Sequence, residues 1–320
     1  MVIYALRKLN LFVVTFLMLT FVSFNIAKLA VDGPWHVMPM MDGWILYLKQ
    51  LLAFDFGLNH LGNPVSKDIL YYLPATLELC FFAFIFALII GIPLGTLAGV
   101  RSGKWLDTLI SSVTLLGFSI PVFWLAILLI MLLALQFNVV PISGRHSLLF
   151  EVPHYTGVGI IDTLMMDKPY RMAALHDTLL HLVLPTLTLA VSPLTEITRL
   201  TRASVADVMT QNYVKIAPTK GLSLFTILHR HVMKNALPPI VPKFGLQLST
   251  MIAMTFIVEY IFNWPGIGAW MLNSLADQDY MAVQAGVICI ATLVLAANIL
   301  SDLIGSMINP HIRKEWHAVK

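Results

Sequence analysis

Residues 75–100 read ATLELCFFAFIFALIIGIPLGTLAGV, and Glu78 is the only charged side chain among them. A helix needs about 20 mostly apolar residues to cross the hydrocarbon of a bilayer, and this run exceeds that length. Working outward, five more windows qualify: 10–30, 108–137, 179–199, 244–262 and 283–308. The chain as a whole agrees. Of its 320 residues 58% are hydrophobic and 12% charged, with a mean hydropathy of +0.82. Soluble domains carry about a quarter charged residues to hold a water-facing surface, so most of this surface must meet lipid. The expected fold class is all-α, a polytopic membrane protein with about six transmembrane helices forming one domain over 1–320.

The segment 41–58, MDGWILYLKQLLAFDFGL, is amphipathic but interrupted by Lys49 and Asp55, which predicts an interfacial helix outside the membrane. Arg7 and Lys8 precede a first apolar run too long for a signal peptide, so a retained anchor is expected. Orientation follows from the loops. Fourteen Lys and Arg residues, from Arg7 and Lys8 to Lys320, fall on one set; six (Lys28, Lys49, Lys67, Arg145, Lys168 and Arg171) fall on the other. The positive-inside rule then puts both termini and a loop of about 200–243 in the cytoplasm. Two outer segments, 31–74 and 138–178, are expected to pack as loops and short helices over the outer mouth.

The cytoplasmic loop carries the functional signal. It contains Tyr213-Val-x-x-Ala217-x-x-x-Gly221-Leu-Ser, then Arg230-His231-x-x-x-Asn235-Ala-Leu-Pro238-Pro. Read physically, Asn212 caps a short helix, Gly221 ends it with a positive φ, and a second short helix runs through His231 until Pro238 stops it. Val214, Ala217 and Leu222 offer small apolar positions for another protein's groove. From the residues alone, an ordinary basic loop remains open as the alternative.

This pattern resembles the EAA-type coupling loop of ABC importer permeases, in particular their dipeptide, oligopeptide and nickel branch. The resemblance extends along the chain. It includes Leu73-Pro-Ala-Thr-Leu-Glu-Leu, Gly91-Ile-Pro-Leu-Gly95 (read as an interruption of the second span), Gly117-Phe-Ser-Ile-Pro-Val-Phe-Trp124 and Leu184-Pro-Thr-Leu-Thr-Leu. It also includes Phe262-Asn-Trp-Pro-Gly-Ile-Gly268 with Asp279-Tyr280. Ile142-Ser-Gly-Arg-His146, Tyr155-Thr-Gly-Val-Gly159 and the tail 309–316 look most like the B-type permeases of systems named for sensitivity to antimicrobial peptides. The resemblance implies a type I permease fold in a bacterial inner membrane and transport by alternating access. Tyr213, Ala217 and Gly221 would form the core of a coupling helix seated in an ATPase cleft, and Arg230, His231, Asn235 and Pro238 its trailing half. Implied partners are a second homologous permease in a heterodimer, ABC ATPase subunits, a periplasmic solute-binding protein and membrane lipid, with no nucleic acid. ATP would be bound by the partner subunits, so no cofactor is expected on this chain. The implied cargo is peptides, cationic antimicrobial ones included; putrescine, nickel or another small solute is the alternative. The sequence departs from the family pattern at Lys215, which replaces a glutamate, at Ile216, and at Pro218, which should kink or shorten the helix.

Four acids fall in or near spans. Glu78, Glu259 and Asp302 are candidates for the transport pathway; the competing reading is capping or interfacial solvation for Glu78 and structural pairing for Glu259 and Asp302, and Glu196 is placed to pair with Arg199. Glu259 is expected to line the path and to favour cationic cargo. Neither a phosphate-binding Gly-x-x-x-x-Gly-Lys loop nor a His-Glu-x-x-His zinc motif occurs, and Gly117-Phe-Ser119-Ile-Pro lacks the second glycine of a nucleophile elbow. His229 and His231 would point apart on a helix, and Cys80 and Cys289 sit in apolar runs. No catalytic residue, metal site or intrinsic enzyme activity is expected. An intramembrane hydrolase or a non-transporting scaffold is the rival of another class.

Overall fold

The computed structural model describes residues 2–30 and 38–308. Asp32, Arg313, Lys314, Lys320 and the tail motif 309–316 lie outside the described residues. Helices α1 (Val2–Ala30), α2 (Met40–Leu52) and α3 (Val65–Val100) come first, followed by α4 (Trp105–Ser119), α5 (Val122–Leu129) and the short α6 (Gly159–Met165). Then come α7 (Arg171–Met209), α8 (Asn212–Ile216), α9 (Leu224–Ile227), α10 (Lys234–Ala236), α11 (Val241–Ile261), α12 (Ile267–Ala276) and α13 (Tyr280–Ile308).

Helices α1, α3, α7, α11 and α13 are each long and apolar enough to cross a membrane. Three of them clearly outrun their windows: α1 starts eight residues before 10, α3 starts ten residues before 75, and α7 extends past 179–199 at both ends. The third window, 108–137, is not one straight span. Its two halves, α4 and the run from Val122 to Gln136, meet at an angle of 102°. The cause is local: Ile120 (φ −81°, ψ 123°) and Pro121 (φ −60°, ψ 136°) are extended, because a proline ring pushes the preceding residue out of the helical region.

The expected interruption of α3 at 91–95 does not occur; the helix runs unbroken through Pro74 and Pro93. Here glycine serves close approach instead. A methyl group at Gly91 would stand 3.0 Å from Cγ2 of Ile197, and one at Gly99 2.8 Å from the carbonyl oxygen of Arg202. Gly91, Gly95 and Gly99, each about one turn from the next, thus bring the α3 and α7 backbones together, which is how membrane helices gain contact without a hydrophobic drive.

The core lies where α3, α7, α11, α12 and α13 meet, with Leu79, Ile197, Met251, Phe262 and Trp264 almost fully buried. Helix α1 packs along α13. Of the amphipathic segment 41–58 only the part to Leu52 is helical, as α2; residues 53–58 are not helix. Helix α2 docks through Tyr47: its ring lies 5.9 Å from that of Phe24, and its hydroxyl accepts from Gln284 at 3.0 Å. Contacts sort the connections onto two ends. Arg202 meets Asp107, Ser204 bonds Ala236, Lys8 meets Asp302 and Ser301 bonds Gly245, which gathers the basic loops at one end. Residues 53–64, 138–170 and 262–279 gather at the opposite end, where helix starts and loops bond one another.

Candidate functional site

The basic end is built from the last turns of α7 outward. Val205 and Val208 of α7, Val214 of α8, Ala217, and then Ile227, Val232 and Ala236 of the second helical run form one buried apolar cluster. Helix α8 is only five residues long and passes at Ala217 into a 3-10 turn that contains Pro218. This is the shortening expected from a proline. Gly221 follows with φ 74°, the left-handed conformation that favours glycine. Ser223 caps the next helix, accepting from the Thr226 N–H at 3.3 Å. That helix continues through a π turn, Leu228–Met233, to Ala236. The Ser204 hydroxyl donates to the Ala236 carbonyl at 2.7 Å and ties the end of the run back to α7.

Two expectations change. Gln211, not Asn212, occupies the N-cap position, and no side chain caps there. Val214 and Ala217 are buried, at 3% and 4% exposure, so they hold the segment to its own bundle and are not available to a partner's groove. Leu222 also packs on that cluster. The apolar side chains that do face outward are Tyr213, Ile216, Leu224 and Phe225, the last 80% exposed. Arg230 and Asn235 are exposed, His231 and Pro238 half-buried, and the Asn235 amide donates to the His231 carbonyl at 2.6 Å.

At the opposite end two of the candidate pathway acids, Glu78 and Glu259, are buried and hydrogen-bonded within the protein. Glu78, 4% exposed, pairs with the Arg145 guanidinium and accepts from the backbone N–H groups of Gly159 (3.1 Å) and Ile160 (3.0 Å) at the start of α6. Glu259 has no exposure at all. It accepts from the Thr76 hydroxyl at 2.6 Å and from the N–H groups of Gly268 (2.7 Å) and Ala269 (3.1 Å) at the start of α12. The expectation that Glu259 lines an open path is therefore not met in this structure: its carboxylate has no exposure, and both of its oxygens accept from the protein's own donors. The two carboxylates share one polar plug. The Trp264 indole donates to the Ala75 carbonyl at 3.0 Å, and Arg145 lies 5.6 Å from the centroid of that ring.

Asp302 pairs with Lys8 at 2.5 Å, joining α1 to α13 near the basic end. Glu196 forms the expected pair with Arg199 on α7, at 2.6 and 2.8 Å. A third acid cap, Asp279, accepts from the His60 N–H at 2.8 Å and the Ala282 N–H at 3.0 Å. Burial alone would raise the Asp279 carboxyl; the His60 and Ala282 N–H groups and the His60 ring outweigh it and hold it below the usual aspartate range.

Sequence reasoning missed three participants. Arg145 stood in a quoted motif but was counted only as a loop charge. Thr76 stood beside Glu78, and its hydroxyl also accepts from the Ile267 N–H at 2.8 Å. Asp107 was not counted among the acids in spans. It is 3% exposed and takes the Arg202 guanidinium of α7 together with the Gly103 N–H at 2.8 Å. A lone acid in the first turn of an apolar helix, beside a basic loop, was the signal for it.

Comparisons with known proteins agree with this architecture. Along its full length the chain is 47% identical, over 321 residues, to the whole of "Peptide transport system permease protein SapB" of Salmonella typhimurium. It is 45% identical over 321 residues to "Putrescine export system permease protein SapB" of Escherichia coli K12, again covering all of both chains. The "Dipeptide transport system permease protein DppB" of Escherichia coli K12 is 33% identical over 336 residues, covering 97% of this chain and 98% of the relative. Among solved structures, inward-facing conformations of the MetNI methionine ABC transporter match at a TM-score of 0.55 and 16% identity, over 73% of this chain and 93% of that one. That likeness supports the fold. Residues 91–314 match the family described as "Binding-protein-dependent transport system inner membrane component", and the chain is a multi-pass membrane permease belonging to that family.

Proposed function

We propose that the chain is one permease of an ATP-driven transporter that moves peptides across an inner membrane, and that residues 212–236 receive the motion of separate ATPase subunits. The observation that carries this reading is the basic-end element itself. A short helix, a left-handed glycine and a capped second helix are anchored to α7 by a buried cluster, yet they leave Tyr213, Ile216, Leu224 and Phe225 facing outward. Apolar side chains held at the surface of a folded element suit a protein partner's cleft. The lysines and arginines gathered at that end support a cytoplasmic placement for it and for both termini.

Trp105, Leu109, Val113, Leu116, Phe123 and Trp124 leave an exposed apolar face along α4 and α5. Its coverage by lipid and by a second permease fits the heterodimer reading, with a binding protein delivering cargo to the opposite end. Peptides are the cargo favoured by the names of two of the relatives above. Putrescine is favoured by the name of the third.

Purified complex, in membranes with its ATPases and partner permease, should take up a labelled lysine-rich peptide only with ATP. Gly221→Val places a branched side chain at φ 74° and costs about 1–2 kcal/mol at that turn. It should abolish most uptake while the complex still assembles. Uptake that needs no ATP, or recovery of this chain without any ATPase in detergents that preserve such complexes, would refute the reading. Competition by putrescine but not by peptide would move the cargo to the second class.

A further inference from the structure

The Asp107–Arg202 pair does more than join two helices. Arg202 donates through Nη2 to Oδ2 of Asp107 at 2.7 Å, and its Nε contacts Oδ1. The same carboxylate accepts the Gly103 N–H at 2.8 Å and the Ser111 hydroxyl at 3.3 Å. One buried acid thus joins the α3–α4 turn, the first turns of α4 and the far end of α7. A two-pronged guanidinium–carboxylate contact fixes orientation as well as distance, because both partners are planar.

The surroundings make that fixed orientation consequential. The Arg202 backbone is wedged against α3: a methyl group at Gly99 would meet its carbonyl oxygen at 2.8 Å, and one at Gly95 its nitrogen at 3.1 Å. Three residues along α7, Val205 enters the apolar cluster that holds α8 and the second helical run. Helix α7 is continuous from there to Met209, and α8 starts at Asn212. On the other side, α4 leads from Asp107 to the 102° bend at 120–121. Near that bend α4 meets α7 again, where a methyl group at Gly117 would stand 3.3 Å from Cγ2 of Thr195. That apolar contact permits sliding. The ion pair does not.

We propose that Asp107 and Arg202 are positioning residues that carry a displacement of residues 212–236 through α7 into α4, and so work the bend between α4 and α5. This rests on the transporter reading and deepens it by naming the strut between the ATPase-facing element and the broken span. A neighbouring ion pair provides a control. Glu196 and Arg199 make the same type of contact but on one helix, so they tie α7 only to itself.

The test uses the complete complex, with ATP hydrolysis and uptake of a labelled lysine-rich peptide measured on the same sample. Asp107→Asn and Arg202→Lys should keep assembly and hydrolysis within about twofold of the parent, while peptide moved per ATP falls roughly fivefold to tenfold, a typical coupling between sites. Exchanging the charges, Asp107→Arg with Arg202→Asp, should restore part of that ratio, and Glu196→Gln should leave it unchanged. The proposal is overturned if uptake and hydrolysis fall in proportion, if neither changes, or if none of the variants assembles, which would make the pair a folding contact. A parent complex that moves neither peptide nor putrescine with ATP would instead defeat the transporter reading, and this proposal with it.

Discussion

At the opposite end of the bundle, Glu78 and Glu259 each gather backbone N–H groups from the start of a neighbouring helix, and Arg145, Thr76 and Trp264 knit the two carboxylates into one buried plug. At the basic end, residues 212–236 are held mainly by seven small apolar side chains, with Ser204 and the Asp107–Arg202 strut as cross-ties. A buried carboxylate with several directed donors tolerates little relative movement, because any shift leaves a polar group unpaired in a poorly solvated place. Apolar contacts change energy gradually as surfaces slide. The contrast fits the proposed function, in which the opposite end keeps a fixed frame while the basic end takes up the ATPases' motion.

Breaking the plug should have the largest effect. Arg145→Ala or Glu78→Ala strands a buried charge and should cost about 3–5 kcal/mol. Heating the purified protein in detergent and measuring what remains soluble checks this. Replacing both partners together by methionine should cost less than either single change. A small loss from the single changes would mean that water already reaches the pair.

Glu259→Gln comes next. A glutamine has one acceptor oxygen for donors that now approach both carboxylate oxygens, so its amide faces a donor and about 1–3 kcal/mol should be lost. Transport of basic and neutral peptides should then fall alike. A selective loss for basic cargo would return Glu259 to the pathway and sharpen the comparison against its frame role.

At the basic end, Ser223→Ala removes a helix cap and should cost about 1 kcal/mol of local stability, read as faster amide exchange over 224–236. Phe225→Ser should change stability by less than about 0.5 kcal/mol, since the ring is 80% exposed, yet weaken co-purification of the ATPases.

The smallest effect near neutrality belongs to Asp279. Its folded carboxyl is held below the ordinary value, so its contribution is complete above the unfolded pKa of about 3.9 and is lost as pH falls through the lower folded value. Stability should show an acid-side decline below about pH 4 that Asp279→Asn reduces.

Much of this was legible in the residues. Residues 75–100 sufficed for a spanning helix, since lipid leaves few alternatives for an apolar run of that length. The short helix, Gly221 and second helix followed from local turn chemistry, and Pro218 correctly foretold a short first helix. The roles of individual side chains were less legible. Glu259 and Glu78 are acids in apolar helices, a pattern shared by a pathway residue and by a cap for someone else's helix. Gly91-Ile-Pro93 has the composition of a break and the geometry of a packing face. Val214 and Ala217 have the small apolar character of a docking surface, but they turn inward.

By itself, the sequence determined the membrane class, the placement of most helices, the separation of the Lys/Arg-rich loops from the others and the local form of residues 212–236. These depend on hydropathy, charge and backbone preference over short stretches. Only the tertiary structure decided that the third apolar run bends by 102°, that Glu78 and Glu259 cap helices about 80 and 10 residues away in the chain, and that Asp107 meets Arg202. The reason is physical. A carboxylate in an apolar helix must find donors somewhere, and which donors it finds depends on which helices pack beside it.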